Sequence, residues 1–202
     1  MKLKRTAAIL VPLFAIQFFS WSGLFALWIY AVPVVTRFMF AATASDSTAY
    51  RSGLFWVSAG FAFYSLLGTS LAFLLPRVVA GFGYGTTHGV ALFIGALGIA
   101  SLSVIERPML LIPAFLAIGI AWSSIGNIPY AIVSRAAAAE HIDRTMRLFG
   151  FSTAIPQAFS TFALTFAVDY CFGTATNRVM ALGGASMAIA GLIAIAFKRR
   201  FD

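Results

Sequence analysis

The sequence predicts an all-α polytopic membrane protein, with six transmembrane helices forming a single bundle over residues 1–202. Three observations carry this. Apolar stretches long enough to span a bilayer fall at 8–36, 51–75, 86–105, 108–134, 147–171 and 176–197. A helix rises about 1.5 Å per residue, so roughly 20 such residues cross a hydrocarbon core about 30 Å thick. The composition is 61% hydrophobic and only 10% charged, with a mean hydropathy of +0.93, which leaves too little polar surface for a water-soluble domain of this size. Finally, Lys and Arg sit at the ends of the apolar stretches rather than in one patch.

Each element has its own justification. Lys2, Lys4 and Arg5 precede the first span, as in a signal peptide. The apolar run then continues through Trp28 and Tyr30 to Val35, far past a signal core of about 7–15 residues, so it is expected to remain as a span. A small polar connection, 41–50 with Asp46, leads to the second span, which Pro76 closes. Gly81, Gly83 and Gly85 are expected to build an irregular turn before the third span. Glu106-Arg107-Pro108 reads as a tight turn, with proline at a helix start where its missing N–H costs nothing. Residues 136–146 form the longest connection on the other side and have scope for a short surface helix. Pro12, Pro33, Pro113, Pro129 and Pro156 are expected to kink their helices.

An even number of spans places both termini on one side. With cytoplasmic termini, the inner segments hold Lys2, Lys4, Arg5, Arg77, Arg135, Arg144, Arg147, Lys198, Arg199 and Arg200, against Arg37, Arg51, Arg107 and Arg178 outside. The positive-inside rule therefore puts both termini in the cytoplasm of a cell (inner or plasma) membrane. The net charge of +8 finds its counter-charge in anionic headgroups, and no basic patch points to nucleic acid.

Little supports catalysis or a metal centre. Cys171 is alone, and His88 and His141 fall in expected loops. No acid lies mid-membrane, and no nucleophile elbow, zinc-protease helix or phosphate-binding glycine loop is present, so neither an enzyme nor a cofactor is expected.

The chemistry concentrates in polar and aromatic residues inside spans. In GIAWSSIGNIPYAIVSR (119–135), Ser123, Asn127 and Tyr130 are spaced i, i+4, i+7 and share a helix face, with Trp122 beside them. An aromatic plate next to amides and hydroxyls suits a sugar, whose C–H faces stack while its hydroxyls hydrogen-bond. Alternatively, these groups bond a neighbouring helix, worth roughly 0.6–2 kcal/mol in lipid. Gln17, Trp21 and Trp28 fall on one face of the first span, where Trp28 and Tyr30 also suit an interfacial aromatic belt. Gln157, after Pro156, either lines a cavity or ties two helices, and Tyr64 is a weaker candidate of the same kind. Small-residue pairs Ala91/Gly95 and Gly184/Ala188 assign the third and sixth spans to packing, and Asp169 is placed near the headgroups.

QFFSWSGLFALWIYAVPVV (17–35), GIAWSSIGNIPYAIVSRA (119–136) and LFGFSTAIPQAFS (148–160) resemble the C-terminal half of major facilitator superfamily transporters, in particular the sucrose/glycoside–cation symporter branch. The resemblance implies helices seven to twelve of a twelve-helix secondary transporter that binds its substrate near the midplane between two six-helix halves. Gln17, Trp21, Trp122, Ser123, Asn127, Tyr130 and Gln157 would then bind a sugar or glycoside, with symport of a proton or cation. The partner would be a second six-helix half, either a separate chain or a second copy. One departure is PRVVAGFGYGTTHG (76–89), which keeps Arg77 and glycines but lacks the family's basic cluster.

Overall fold

The computed structural model describes residues 2–137, 141–172 and 175–202, with side chains from Ala8 onward. All regular structure among these residues is helical. Helix α1 (Lys2–Pro33) runs on through a wider π turn at Val34–Met39. It is followed by α2 (Thr48–Ala72), α3 (Leu75–Phe82), α4 (Tyr84–Ser101), α5 (Leu111–Ala136), α6 (Ile142–Phe166), α7 (Asn177–Ala196) and α8 (Lys198–Phe201). Helix α6 also ends in a π turn, at Ala167–Cys171.

Five helices are long and apolar enough to cross a membrane, and a sixth crossing exists if α3 and α4 count as one broken span. That break is the main departure from the expected spans. Leu75–Phe82 is helical, not a turn, and meets α4 at a bend of 117°. Gly83 makes the bend with φ of +80°, a left-handed conformation open to glycine, and a Cβ there would sit 2.6 Å from the Asp202 carboxylate. Pro76 lies in the first turn of α3 rather than closing α2. No separate surface helix occupies the described part of 136–146, because α6 already begins at Ile142; residues 138–140 lie outside the described set.

Local chemistry explains the other boundaries. The Ser47 hydroxyl accepts the Tyr50 N–H at 3.1 Å and starts α2 three residues earlier than expected. Arg107, held extended before Pro108, leads into a short 3₁₀ turn and then α5. Helices α1, α5 and α6 continue through Pro12, Pro129 and Pro156.

Going round the bundle, neighbours run α2, α5, α4, α7, α1, α6. Small residues set the tightest seams. A Cβ on Gly23 (α1) would lie 2.7 Å from the Gly183 carbonyl of α7, and one on Gly184 would lie 2.7 Å from the Ala96 carbonyl of α4. Glycine at these points lets backbones approach as they do in membrane interfaces. The expected packing role of Gly95 and Gly184 agrees with these contacts, since Gly95 faces Ala121 and Met187. The enclosed core includes Leu13, Ile16, Leu24, Leu92, Ile99, Phe115, Ile118 and Met187. The outer surface is equally apolar, with Phe73 78% and Phe162 79% exposed. Such a surface is stable against acyl chains and unstable in water.

The two ends of the bundle differ. At one, Arg200 donates to the Ala8 carbonyl at 3.2 Å and the Arg135 guanidinium lies over the Tyr84 ring, 4.8 Å from its centroid. At the other, Asn177 donates to the Ser103 carbonyl at 2.9 Å.

Candidate substrate-binding site

The inward face of α2 reads Gly53, Val57, Gly60, Tyr64 and Gly68, a helical stripe with glycine on either side of one tyrosine. Large rings of α5 fill the glycine notches. Phe115 lies against Gly60, and a Cβ on Gly68 would meet Trp122 Cδ1 at 2.6 Å. Trp122 is thereby held at a fixed position between α2 and α1, half-buried.

From α1, Gln17, Trp21, Phe25 and Trp28 project at i, i+4, i+8 and i+11, one continuous face. The Trp21 ring centroid is 6.0 Å from that of Trp122 and 5.9 Å from that of Trp28, and Trp28 is 5.9 Å from Trp122. All three indole pairs meet edge to face, the arrangement their ring quadrupoles favour. Trp28 Nε1 donates to Tyr64 Oη at 3.0 Å, which ties α1 to α2. Trp28 therefore belongs to the interior cluster rather than to an interfacial belt, and Tyr64 is central to it.

The polar atoms beside this cluster are unmatched. Gln17 has no solvent exposure, and neither its amide nitrogen nor its oxygen has a hydrogen-bond partner among the described residues. The same holds for Trp21 Nε1 and Ser123 Oγ. An unmet buried group typically costs about 1–3 kcal/mol. Helix–helix bonding, the alternative role considered for such residues, is not what these atoms do.

The other expected residues lie elsewhere. Asn127 is exposed and donates to the Ser123 carbonyl of its own helix at 2.7 Å. Tyr130 is 37% exposed, with its ring edge-on to Phe149 of α6 at 5.3 Å. Gln157 is exposed on α6. The Ser123–Asn127–Tyr130 stripe does not line one groove. Ser123 borders an apolar cavity of about 380 Å³ with Thr87 and Ile94, whereas Asn127 borders a separate one of about 540 Å³ near the α3–α4 bend. The seven expected residues thus divide into an enclosed set (Gln17, Trp21, Ser123) with the half-buried Trp122 beside it, and an outward set (Asn127, Tyr130, Gln157). Neither of these two cavities is lined by Gln17, Trp21 or Trp122.

His88 corrects the sequence expectation most sharply. It is not a solvated loop residue but lies in α4, 1% exposed, with Nδ1 2.5 Å from Ser124 Oγ of α5 and Nε2 unpartnered. The third span therefore does carry a polar group. Ser124→Ala is expected to destabilise the bundle by about 1–3 kcal/mol, because it orphans a second ring nitrogen. The double variant His88→Leu/Ser124→Ala should recover most of that loss, as thermal unfolding in detergent would measure. Tyr64→Phe should cost about 0.6–2 kcal/mol, absent when Trp28 is already Phe.

Among the described residues no three His, Cys, Asp or Glu gather as metal ligands. No family model, curated protein or solved structure matches the chain.

Proposed function

We propose that this chain is one six-helix half of a secondary transporter of major-facilitator type. It moves a sugar or glycoside by alternating access, coupled to a proton or cation, in a cell membrane with both termini cytoplasmic. The observation that carries this reading is the enclosed Gln17 amide and Trp21 Nε1, both unmet in hydrogen bonding and one helical turn apart, with Trp21 packed edge-to-face on Trp28 and Trp122. Indole faces offer stacking to the C–H surfaces of a pyranose, and the amide offers one donor and one acceptor to its hydroxyls. Rocking against a second half, a separate chain or a second copy, together with movement of α1 relative to its neighbours in this bundle, would open the enclosed set to water. Asn127, Tyr130 and Gln157, polar groups exposed at membrane depth, would face that partner and the shared cavity.

A second reading has one specific observation in its favour. The bundle is packed closed around Gln17, as in a non-catalytic six-helix membrane protein that only assembles with a partner. Uptake of labelled sucrose and aryl glycosides into cells expressing the chain, alone and with candidate partner halves, separates the two. Accumulation that is lost on Trp21→Ala supports transport, and no accumulation with any partner half supports assembly alone.

A further inference from the structure

The cavity of about 540 Å³ beside the α3–α4 bend has an unusual lining. Its walls are mostly apolar, with Leu75 and Val79 of α3 and Ile128 of α5, yet Asn127 and the charged Arg135 and Asp202 border it. These opposite charges do not pair with each other. Asp202 Oδ1 accepts the backbone N–H of Tyr84 at 2.6 Å and of Gly85 at 3.3 Å, while the Arg135 guanidinium lies over the Tyr84 ring. Tyr84 therefore stands between them. Among the described residues Arg135 has no carboxylate partner, and Asp202 Oδ2 accepts no hydrogen bond. A ligand that satisfies both carries an anion and a cation on one headgroup, with an apolar body for the walls.

We propose that this cavity seats a zwitterionic phospholipid with a primary ammonium, its phosphate on Arg135, its ammonium on Asp202 and its upper acyl carbons along Leu75, Val79 and Ile128. The chemistry selects the headgroup. A guanidinium makes strong charge-assisted bonds to phosphate oxygens. A carboxylate takes N–H bonds from a primary ammonium, whereas a trimethylammonium has none to give and prefers aromatic faces. The Tyr84 face is already covered by Arg135. The position selects a lipid over a free zwitterion, because Leu75 borders both this cavity and the neighbouring apolar one of about 380 Å³, which Val78 and Phe82 of α3 also line, 40% and 69% exposed. This site goes beyond the transport reading, with which it shares only Asn127, and its test needs no transport.

Native mass spectrometry of the detergent-solubilised protein, offered equal amounts of phosphatidylethanolamine, phosphatidylcholine and phosphatidylglycerol with the same acyl chains, tests the proposal without any transport assay. Phosphatidylethanolamine should be retained about tenfold over phosphatidylcholine, the ratio one charge-assisted hydrogen bond supports. Asp202→Asn keeps an oxygen for the Tyr84 N–H and should bring the two lipids to parity, and Arg135→Gln should weaken both. Equal retention of all three lipids by the wild-type protein would overturn the proposal. So would preference for phosphatidylglycerol, which marks mere attraction to basic residues, or an unchanged preference in Asp202→Asn. Competition by free phosphoethanolamine at the same concentration as the lipid would overturn the assignment to a lipid.

Discussion

Trp122→Ala is expected to have the largest effect of any single substitution in the cluster, costing about 3–5 kcal/mol of stability. The side chain fills the notch left by Gly68 and meets Trp21, Trp28 and Tyr64, so its removal leaves space between three helices that backbone cannot fill. The loss should appear as a fall in the detergent unfolding midpoint. It should be accompanied by a red shift in the fluorescence of the remaining tryptophans, since three of the chain's four sit in this cluster. Trp122→Phe, which retains a ring, should recover more than half of the stability. Glycoside uptake should be lost in Trp122→Ala and reduced in Trp122→Phe.

Gln17→Leu is expected to move stability and function in opposite directions. Leucine is close in size and apolar, so the substitution removes two buried polar atoms that have no partners and leaves no void. The bundle should gain about 1–3 kcal/mol, the cost of the unmet groups. If the amide is kept to bond a hydroxyl of the cargo, glycoside uptake should fall at the same time, the usual conflict between an optimised core and a working site. A loss of stability in Gln17→Leu, measured by thermal unfolding in detergent, would mean that the amide is satisfied by the bundle.

The sequence was legible where hydropathy decides. Span positions came within a few residues for α1, α2, α5 and α7, because apolar length is a property of each segment by itself. An irregular turn before the third span was legible in the glycines, and Gly83 makes it; the helix ahead of it was hidden, since nothing in the apolar content of PRVVAGF separates a surface turn from a helix meeting α4 at 117°. The signal was Gly83 alone, a residue with positive φ that sits where Asp202, distant in sequence, arrives. His88 was misplaced for a related reason. The run YGTTHG is polar enough to read as a loop, and the Ser124 that shelters the imidazole lies on another helix. In the site, Trp21 and Trp122 were legible as separate aromatic residues in amide-bearing spans. Their contact, and the place of Tyr64 between glycines, depended on how α1, α2 and α5 meet. The outward placement of Asn127, Tyr130 and Gln157 was equally beyond reach, because a helical spacing fixes which residues share a face but not what that face meets.

Cysteine accessibility at position 17 tests the central claim most directly. The chain has one native cysteine, the exposed Cys171, so Gln17→Cys in a Cys171→Ser background isolates a single thiol at the enclosed site. With the matching half present, a membrane-impermeant maleimide should label it over minutes, and sucrose or an aryl glycoside should protect it. A thiol that never reacts in the folded protein, yet labels fully once unfolded, would contradict an aqueous pathway to Gln17 and with it the transport account.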